Sequence, residues 1–313
     1  MKAYLKSNKK IWDFAPHNAF PDIIRFQNQW FVCLREASLH SDTEPGMIRI
    51  LQSHDAINWH AVALLHDKEF DLRDPKFLIH NDGSLMLYVC ALSLNSKKRM
   101  LSLSCRSLEG RIFSPFFLIA EEGEWLWRII QEEKSFYAAS YRFSVPGDRY
   151  KPWSASLHTS SEGKFFKKVV DWPFKGRPSE ACLYILKDQM TVFIRQDRED
   201  RKLLVGTSSY PYEDWHFEKA PFYLASPNVV LTEENKAIIG GRLLQINPYG
   251  IFEKTTLFEY ENNKWNRLLV LPSFGDSGYP GLVLMGNRLF VCYYSSQLKK
   301  SAIYLAEVEI EKG

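Results

Sequence analysis

Apolar residues in this chain fall in short runs rather than helical stripes. Trp30-Phe31-Val32-Cys33-Leu34, Ser84-Leu85-Met86-Leu87-Tyr88-Val89, Met190-Thr191-Val192-Phe193-Ile194 and Arg288-Leu289-Phe290-Val291-Cys292-Tyr293-Tyr294 are rich in β-branched, aromatic and leucine residues. Turn formers such as Asn81-Asp82-Gly83 and Gly286-Asn287 bound them, which is the pattern of short strands joined by tight turns. Glu121 to Glu133 comes closest to a helical period, and Gly123 interrupts it, so no long helix is expected.

Between the runs a short tag recurs. Ser53-His54-Asp55 is followed by Trp59, Ser107-Leu108-Glu109-Gly110 by Phe113, and Ser160-Ser161-Glu162-Gly163 by Phe166. Looser copies run from Ser208 to Trp215 and from Glu259 to Trp265, with successive tags about 50 residues apart. A fixed period of this size marks a repeat array whose unit cannot bury its own apolar face. Ser and acidic side chains can bond to nearby amides, Gly supplies positive φ, and the aromatic plugs the gap between units, so each tag reads as a hairpin turn. Five tags plus the strand-rich stretch Gly278 to Ile310 make six units. Four short strands per unit predict an all-β fold, a six-bladed β-propeller of four-stranded antiparallel blades. A β-sandwich with coincidental turns is the plainer alternative. The strand Ser301 to Glu309 is expected to pair with the N-terminal segment and so remove an exposed sheet edge.

Composition narrows this little. The 313 residues carry no Pro/Gly/Ser-rich linker, which reads as one domain spanning 1–313. A formal charge of +3 without a Lys/Arg block gives no reason to expect nucleic acid. No run approaches a membrane span, and Met1-Lys2-Ala3-Tyr4-Leu5-Lys6 opens no signal-peptide-like stretch, so a cytoplasmic protein is expected. The five cysteines, Cys33, Cys90, Cys105, Cys182 and Cys292, mostly sit in apolar strands and read as small buried thiols. No Cys-x-x-Cys or His-x-x-x-His pair occurs, so neither metal nor cofactor is expected.

Polar residues at strand ends form a second pattern. Arg35 ends the run Phe31 to Leu34, Glu180 precedes Ala181 to Leu186, and Arg195 ends Thr191 to Ile194. Arg242 follows Gly240-Gly241, and Tyr279 lies in Asp276-Ser277-Gly278-Tyr279-Pro280-Gly281. With the tags, this set resembles the sialidase superfamily over nearly the whole chain, from about His17 to Val308. Phe31-Val32-Cys33-Leu34-Arg35-Glu36 looks like the first arginine segment. Pro178-Ser179-Glu180-Ala181 with Arg195 looks like the glutamate and second arginine, and Gly240-Gly241-Arg242 like the third. Ser277 to Val283 looks like the nucleophile segment. Asp71-Leu72-Arg73-Asp74-Pro75 and Tyr293-Tyr294-Ser295-Ser296 resemble a bacterial exo-sialidase-like branch.

The resemblance implies a retaining glycoside hydrolase acting on a terminal ulosonic acid, either sialic acid or a relative such as Kdo. Three guanidiniums, Arg35, Arg195 and Arg242, would bind the sugar carboxylate. That carboxylate would repel a carboxylate nucleophile, which neutral Tyr279 avoids. A phenol with an ordinary pKa near 10 needs a base, for which Glu180 is the candidate. Arg73 and Asp74 would line the pocket or form a structural pair. For the general acid, Asp42 and His40 in the loop Ala37 to Gly46 stay equal candidates, the histidine because its ordinary pKa lies near 6.5. Asp22 reads as a turn former or rim residue. Trp125 and Trp127 share a strand face and stack on sugar or fill blade interfaces, the latter expected for at least one. Two other functions stay open: a non-catalytic binder of acidic sugars and a protein-interaction propeller, with the protein partners unknown.

Overall fold

The computed structural model describes residues 1–40, 44–95, 99–143, 151–174, 176–197, 200–247, 250–298 and 300–312. Among them there are 24 strands and no helix, hence none long and apolar enough to cross a membrane. In chain order they are β1 (Lys2–Trp12), β2 (His17–Phe26), β3 (Gln29–Ala37), β4 (Met47–Ser53), β5 (His60–Leu65), β6 (Phe70–Ile79), β7 (Leu85–Ser93) and β8 (Met100–Ser107). Then come β9 (Phe117–Leu118), β10 (Trp125–Glu132), β11 (Ser135–Phe143), β12 (Trp153–Ser160), β13 (Lys167–Trp172), β14 (Pro178–Leu186), β15 (Gln189–Gln196) and β16 (Leu204–Ser209). The rest are β17 (His216–Lys219), β18 (Leu224–Leu231), β19 (Ala237–Asn247), β20 (Gly250–Glu261), β21 (Lys264–Val270), β22 (Ser277–Met285), β23 (Arg288–Leu298) and β24 (Lys300–Glu311).

They form six four-stranded antiparallel sheets, the blades of a six-bladed β-propeller. The chain divides into two compact units of three sheets each: β1–β5 with β18–β24, and β6–β17. Five sheets are simple meanders; the sixth has the order β1-β24-β23-β22, so the N-terminal strand closes the last blade as expected. Ala3 faces Ile310 and Leu5 faces Val308 in that pairing.

Burial falls off across each sheet. Nearly all of β3 is buried, whereas β5, β17 and β21 are mostly exposed. The outer strands β1, β13 and β17 carry Lys2, Lys6, Lys9, Lys10, Lys167, Lys168 and Lys219. Charges of this kind discourage pairing of a bare edge with another chain.

All five tags occupy the same place, the turn between the third and fourth strands of a blade. In the first, Ser53 Oγ donates to Asp55 Oδ1 at 2.9 Å, and that oxygen accepts the amides of Ile57 and Asn58 at 2.9 and 2.8 Å. In the second, Ser107 Oγ accepts the Gly110 amide at 2.8 Å, and Gly110 takes φ +79. Two of the tag aromatics pack across blades: Phe166 joins a core with Met86 and Tyr88 of β7, and Trp59 one with Phe290 and Leu305. All five cysteines are buried and none is in a disulfide, in line with the expected small buried thiols.

Candidate functional site

The first strand of every blade is interrupted at one equivalent point. Ladder pairing breaks between Ala19 and Asp22, Arg73 and Lys76, Leu126 and Ile129, Pro178 and Ala181, Ala225 and Asn228, and Gly278 and Gly281. Two unpaired residues make each bulge. In four blades they are Phe20-Pro21, Asp74-Pro75, Ser226-Pro227 and Tyr279-Pro280. In these four the residue before proline has positive φ: +58 at Phe20, +50 at Asp74, +47 at Ser226 and +52 at Tyr279. Proline suits an edge position because it has no amide to offer the ladder, and positive φ on bulky residues is strain of a kind that collects at functional sites. Bulges re-aim side chains. They carry three candidates, Asp74, Glu180 and Tyr279, so Glu180 lies inside β14 at its irregularity rather than before the strand.

The second strand supplies the partners. Arg35 lies opposite Ala19, Arg242 opposite Ala225 and Tyr294 opposite Gly278, which are equivalent positions in three blades. Arg195 sits one residue before the equivalent Gln196.

In the unit containing β1–β5 and β18–β24, Arg242 and Tyr294 meet His17 and His40 at Asp276. Its Oδ1 accepts from the Tyr294 hydroxyl at 2.6 Å and Arg242 Nη1 at 3.2 Å. Its Oδ2 lies 2.6 Å from His40 Nδ1 and 3.7 Å from His17 Nε2. Burial works to raise the Asp276 carboxyl pKa, but His17, His40 and Tyr294 outweigh it and hold the group well below the usual carboxylate range. Burial pushes the His17 imidazole down, against the pull of Asp276. Arg35 has no exposed surface; its Nη1 donates to the Leu39 carbonyl at 3.0 Å and so fixes the residue before His40. Gly278 takes φ +116, and a Cβ there would lie 2.9 Å from Cβ of Arg242, so only glycine lets the arginine pack against this segment. The Tyr279 ring rests on Phe20 at 4.6 Å, and its amide donates to Ser226 Oγ at 3.3 Å.

Arg242 Nη1 also meets Glu253 Oε2 at 3.4 Å. Glu253 lines a cavity of about 470 Å³ with Phe252, Lys254, Phe274 and Gly275, a volume in the range of small-molecule sites. Lys254 Nζ sits 3.2 Å over the Phe274 ring centre and donates to the Ser273 carbonyl at 2.5 Å; burial lowers its pKa.

The β6–β17 unit holds the other candidates. Glu180, buried, binds Arg195 Nη1 at 2.8 Å, and Arg195 Nε binds Asp197 at 2.8 Å. Arg195 lies over the Tyr223 ring at 5.8 Å, and the Tyr223 hydroxyl donates to Asp197 at 3.2 Å. Buried Tyr141 belongs to this cluster: burial pushes its phenol up, Asp74, Cys90 and Glu180 add to that, and Arg195 opposes. Arg73 Nη1 pairs with Asp71 at 2.9 Å. Trp125 and Trp127 are both buried, and Trp125 stacks on Tyr141 at 5.2 Å, a packing role. Asp42 lies outside the described residues.

Sequence reasoning gave no role to Asp276, His17, Tyr294 or the cavity residues Phe252, Lys254 and Phe274. The recurring X-Pro of Pro21, Pro75, Pro227 and Pro280 was a signal that would have located four of the bulges.

No protein-family model and no curated protein matches the sequence. Solved structures match in fold. A Dyadobacter fermentans protein of unknown function is 15% identical at TM-score 0.80, with 99% of each chain covered. A Penicillium chrysogenum α-L-arabinanase complexed with arabinobiose is 13% identical at TM-score 0.72, again with 99% of each chain covered. A Trypanosoma rangeli sialidase in complex with sialic acid is 12% identical at TM-score 0.71, covering 97% of this chain and 57% of that one. The chain therefore shares the fold of glycoside-hydrolase propellers.

Proposed function

We propose that this protein is a retaining glycoside hydrolase that releases a terminal ulosonic acid. The observation that carries the reading is the cluster within one unit: Tyr279 on a strained bulge, His40 bound to ionised Asp276 at 2.6 Å, and Arg242 bound to the same carboxylate at 3.2 Å. Asp276 takes His40 Nδ1, so the proton passes through Nε2 of a half-exposed ring. The Tyr279 phenol passes its proton to a base as its oxygen attacks the anomeric carbon, while protonated His40 gives a proton to the leaving oxygen. Water then attacks the anomeric carbon, giving a proton to neutral His40, and the tyrosine oxygen leaves and takes back its proton from the base, so the sugar is freed with retained configuration. Arg35 positions His40 through Leu39. The sugar carboxylate binds Arg242 by replacing Glu253, whose contact of 3.4 Å is the longer of that guanidinium's two carboxylate contacts. Lys254 and Phe274 in the adjoining cavity offer a second cation and an apolar face for the ring. The resemblance implies Glu180 as the candidate for the phenol's base; its carboxylate is ion-paired with Arg195 within the other unit.

A second reading, a neutral-sugar glycosidase, is favoured by one observation. Arg242, Arg195 and Arg73 each already face a carboxylate: Asp276, Glu180 and Asp71. Hydrolysis of aryl ketosides of sialic acid and Kdo, beside an aryl α-L-arabinofuranoside, separates the two. The leading reading expects release from a ketoside, none from Tyr279→Phe, and a KM raised about tenfold or more in Lys254→Met for loss of a charged hydrogen bond. Release from the arabinofuranoside alone establishes the second reading. Ketoside binding without turnover establishes a sugar-binding propeller.

A further inference from the structure

We propose that His17, His40 and Asp276 bind one divalent transition-metal ion, zinc being the best match to the donors. One donor atom from each residue lies within 4.8 Å of the other two, and His17 Nε2 and His40 Nδ1 are the nitrogens turned toward Asp276 Oδ2. Zinc ligands about 2.0–2.1 Å from a tetrahedral ion stand roughly 3.3 Å apart. The present separations of 2.6 Å for His40–Asp276 and 3.7 Å for His17–Asp276 bracket that spacing, so small side-chain shifts admit the ion.

His17 is an independent sign. The residue is only 8% exposed, yet neither ring nitrogen has a hydrogen-bond partner among the described residues, and Nε2 is aimed at Asp276. A buried imidazole without a close hydrogen bond is costly, and a metal bond in place of the 3.7 Å contact satisfies it. Asp276 is prepared as a ligand too. Tyr294 and Arg242 occupy Oδ1 and leave Oδ2 turned to the histidines, the outer hydrogen bonding that ligating carboxylates carry.

Three protein ligands leave the fourth position on the side of His40, which is 53% exposed. Two imidazoles and one carboxylate select zinc, cobalt or nickel over calcium or magnesium. Arg242 opposes a dication, but Glu253 at 3.4 Å offsets part of its charge. No local motif announces the site because its ligands come from the start of β2, the loop after β3 and the loop before β22. In the hydrolase reading His40 Nδ1 is held by Asp276 while Nε2 passes the proton; a metal on Nδ1 takes that position and keeps the ring from cycling through its protonated form, so metal binding and proton donation exclude each other, and binding itself does not depend on that reading.

The full chain, stripped with a chelator, is titrated with Co²⁺ and followed by its visible d–d absorption, with Zn²⁺ as competitor. One Co²⁺ per chain with bands of four- or five-coordinate intensity, displaced by Zn²⁺, is expected. His17→Ala and His40→Gln should each weaken binding by about tenfold or more, and Tyr294→Phe by about tenfold. His40→Gln alters an exposed side chain and guards against a His17 variant that misfolds. Absence of the bands, or an affinity unchanged in His40→Gln, overturns the site. Loss of ketoside hydrolysis on Zn²⁺ loading alone does not count, since it can arise elsewhere. Spectra that follow both histidines in a protein inactive on every glycoside uphold the metal site and reject only the hydrolase reading.

Discussion

Asp276→Asn tests whether the polar cluster is built as described. The carboxylate takes 2.6 Å contacts from Tyr294 and His40 and a 3.2 Å contact from Arg242. Hydrogen bonds to a charged group contribute about 1.5–3 kcal/mol each. The side chain is 33% exposed, so solvent screening discounts the sum, and the asparagine oxygen still accepts one bond. The expected loss is about 2–3 kcal/mol. Tyr294→Phe removes a single hydroxyl from a fully buried ring and should cost about 1–2 kcal/mol. If Tyr294 acts through Asp276, the double variant costs less than the sum, with a coupling of about 1 kcal/mol. Urea denaturation and calorimetry on the four proteins measure it. Additivity within about 0.3 kcal/mol, or an Asp276→Asn loss below about 0.5 kcal/mol, refutes the cluster as the local organiser.

Other outcomes follow from single sites. Buried Glu124 is held below its ordinary pKa of 4.5: burial raises it, but His158, Ser140 and Arg142 outweigh that. The unfolded chain therefore binds this proton first, so the group's stabilisation is present above about pH 4.5 and fades as pH falls toward the lower folded value. Glu124→Gln should flatten the stability–pH curve in that window, as read by melting temperature. Burial pushes the Cys105 and Cys182 thiols up to about 12, so a thiol reagent at pH 8 should label none of the five cysteines in the native chain and all of them in urea. Gly281→Ala would place a Cβ 2.6 Å from the Ile23 amide nitrogen and 2.9 Å from Asp22 Cα, both backbone. It should cost about 1–3 kcal/mol by overpacking, read by urea denaturation.

The repeat was legible because its signal is local. Ser-x-acid turns with a following aromatic recur in the sequence, and strand-length apolar runs lie between them. The closing pair of β1 and β24 was legible because pairing the last strand with the N-terminal segment removes an exposed sheet edge. Arg35 was found at the end of a strand run and Arg242 after Gly240-Gly241, and they do share an equivalent register. The bulges were not foreseen because they break the two-residue alternation that identifies strands. The cluster on Asp276 was not foreseen for a different reason. His17, His40, Arg242, Asp276 and Tyr294 are brought together by the antiparallel pairings β2–β3, β18–β19 and β22–β23, and no spacing along the chain encodes that. Nor did sequence reveal that Arg35 is covered over and holds a loop carbonyl.

The claim that Tyr279 forms a covalent bond to an acidic sugar is tested most directly by trapping it. A fluorinated ulosonyl fluoride slows release of the sugar from the nucleophile, and peptide mass spectrometry of the inactivated protein locates the adduct. The account predicts one sugar per chain on the peptide carrying Tyr279, and none in Tyr279→Phe. An adduct on any other residue, or ketoside turnover that persists in Tyr279→Phe, contradicts it.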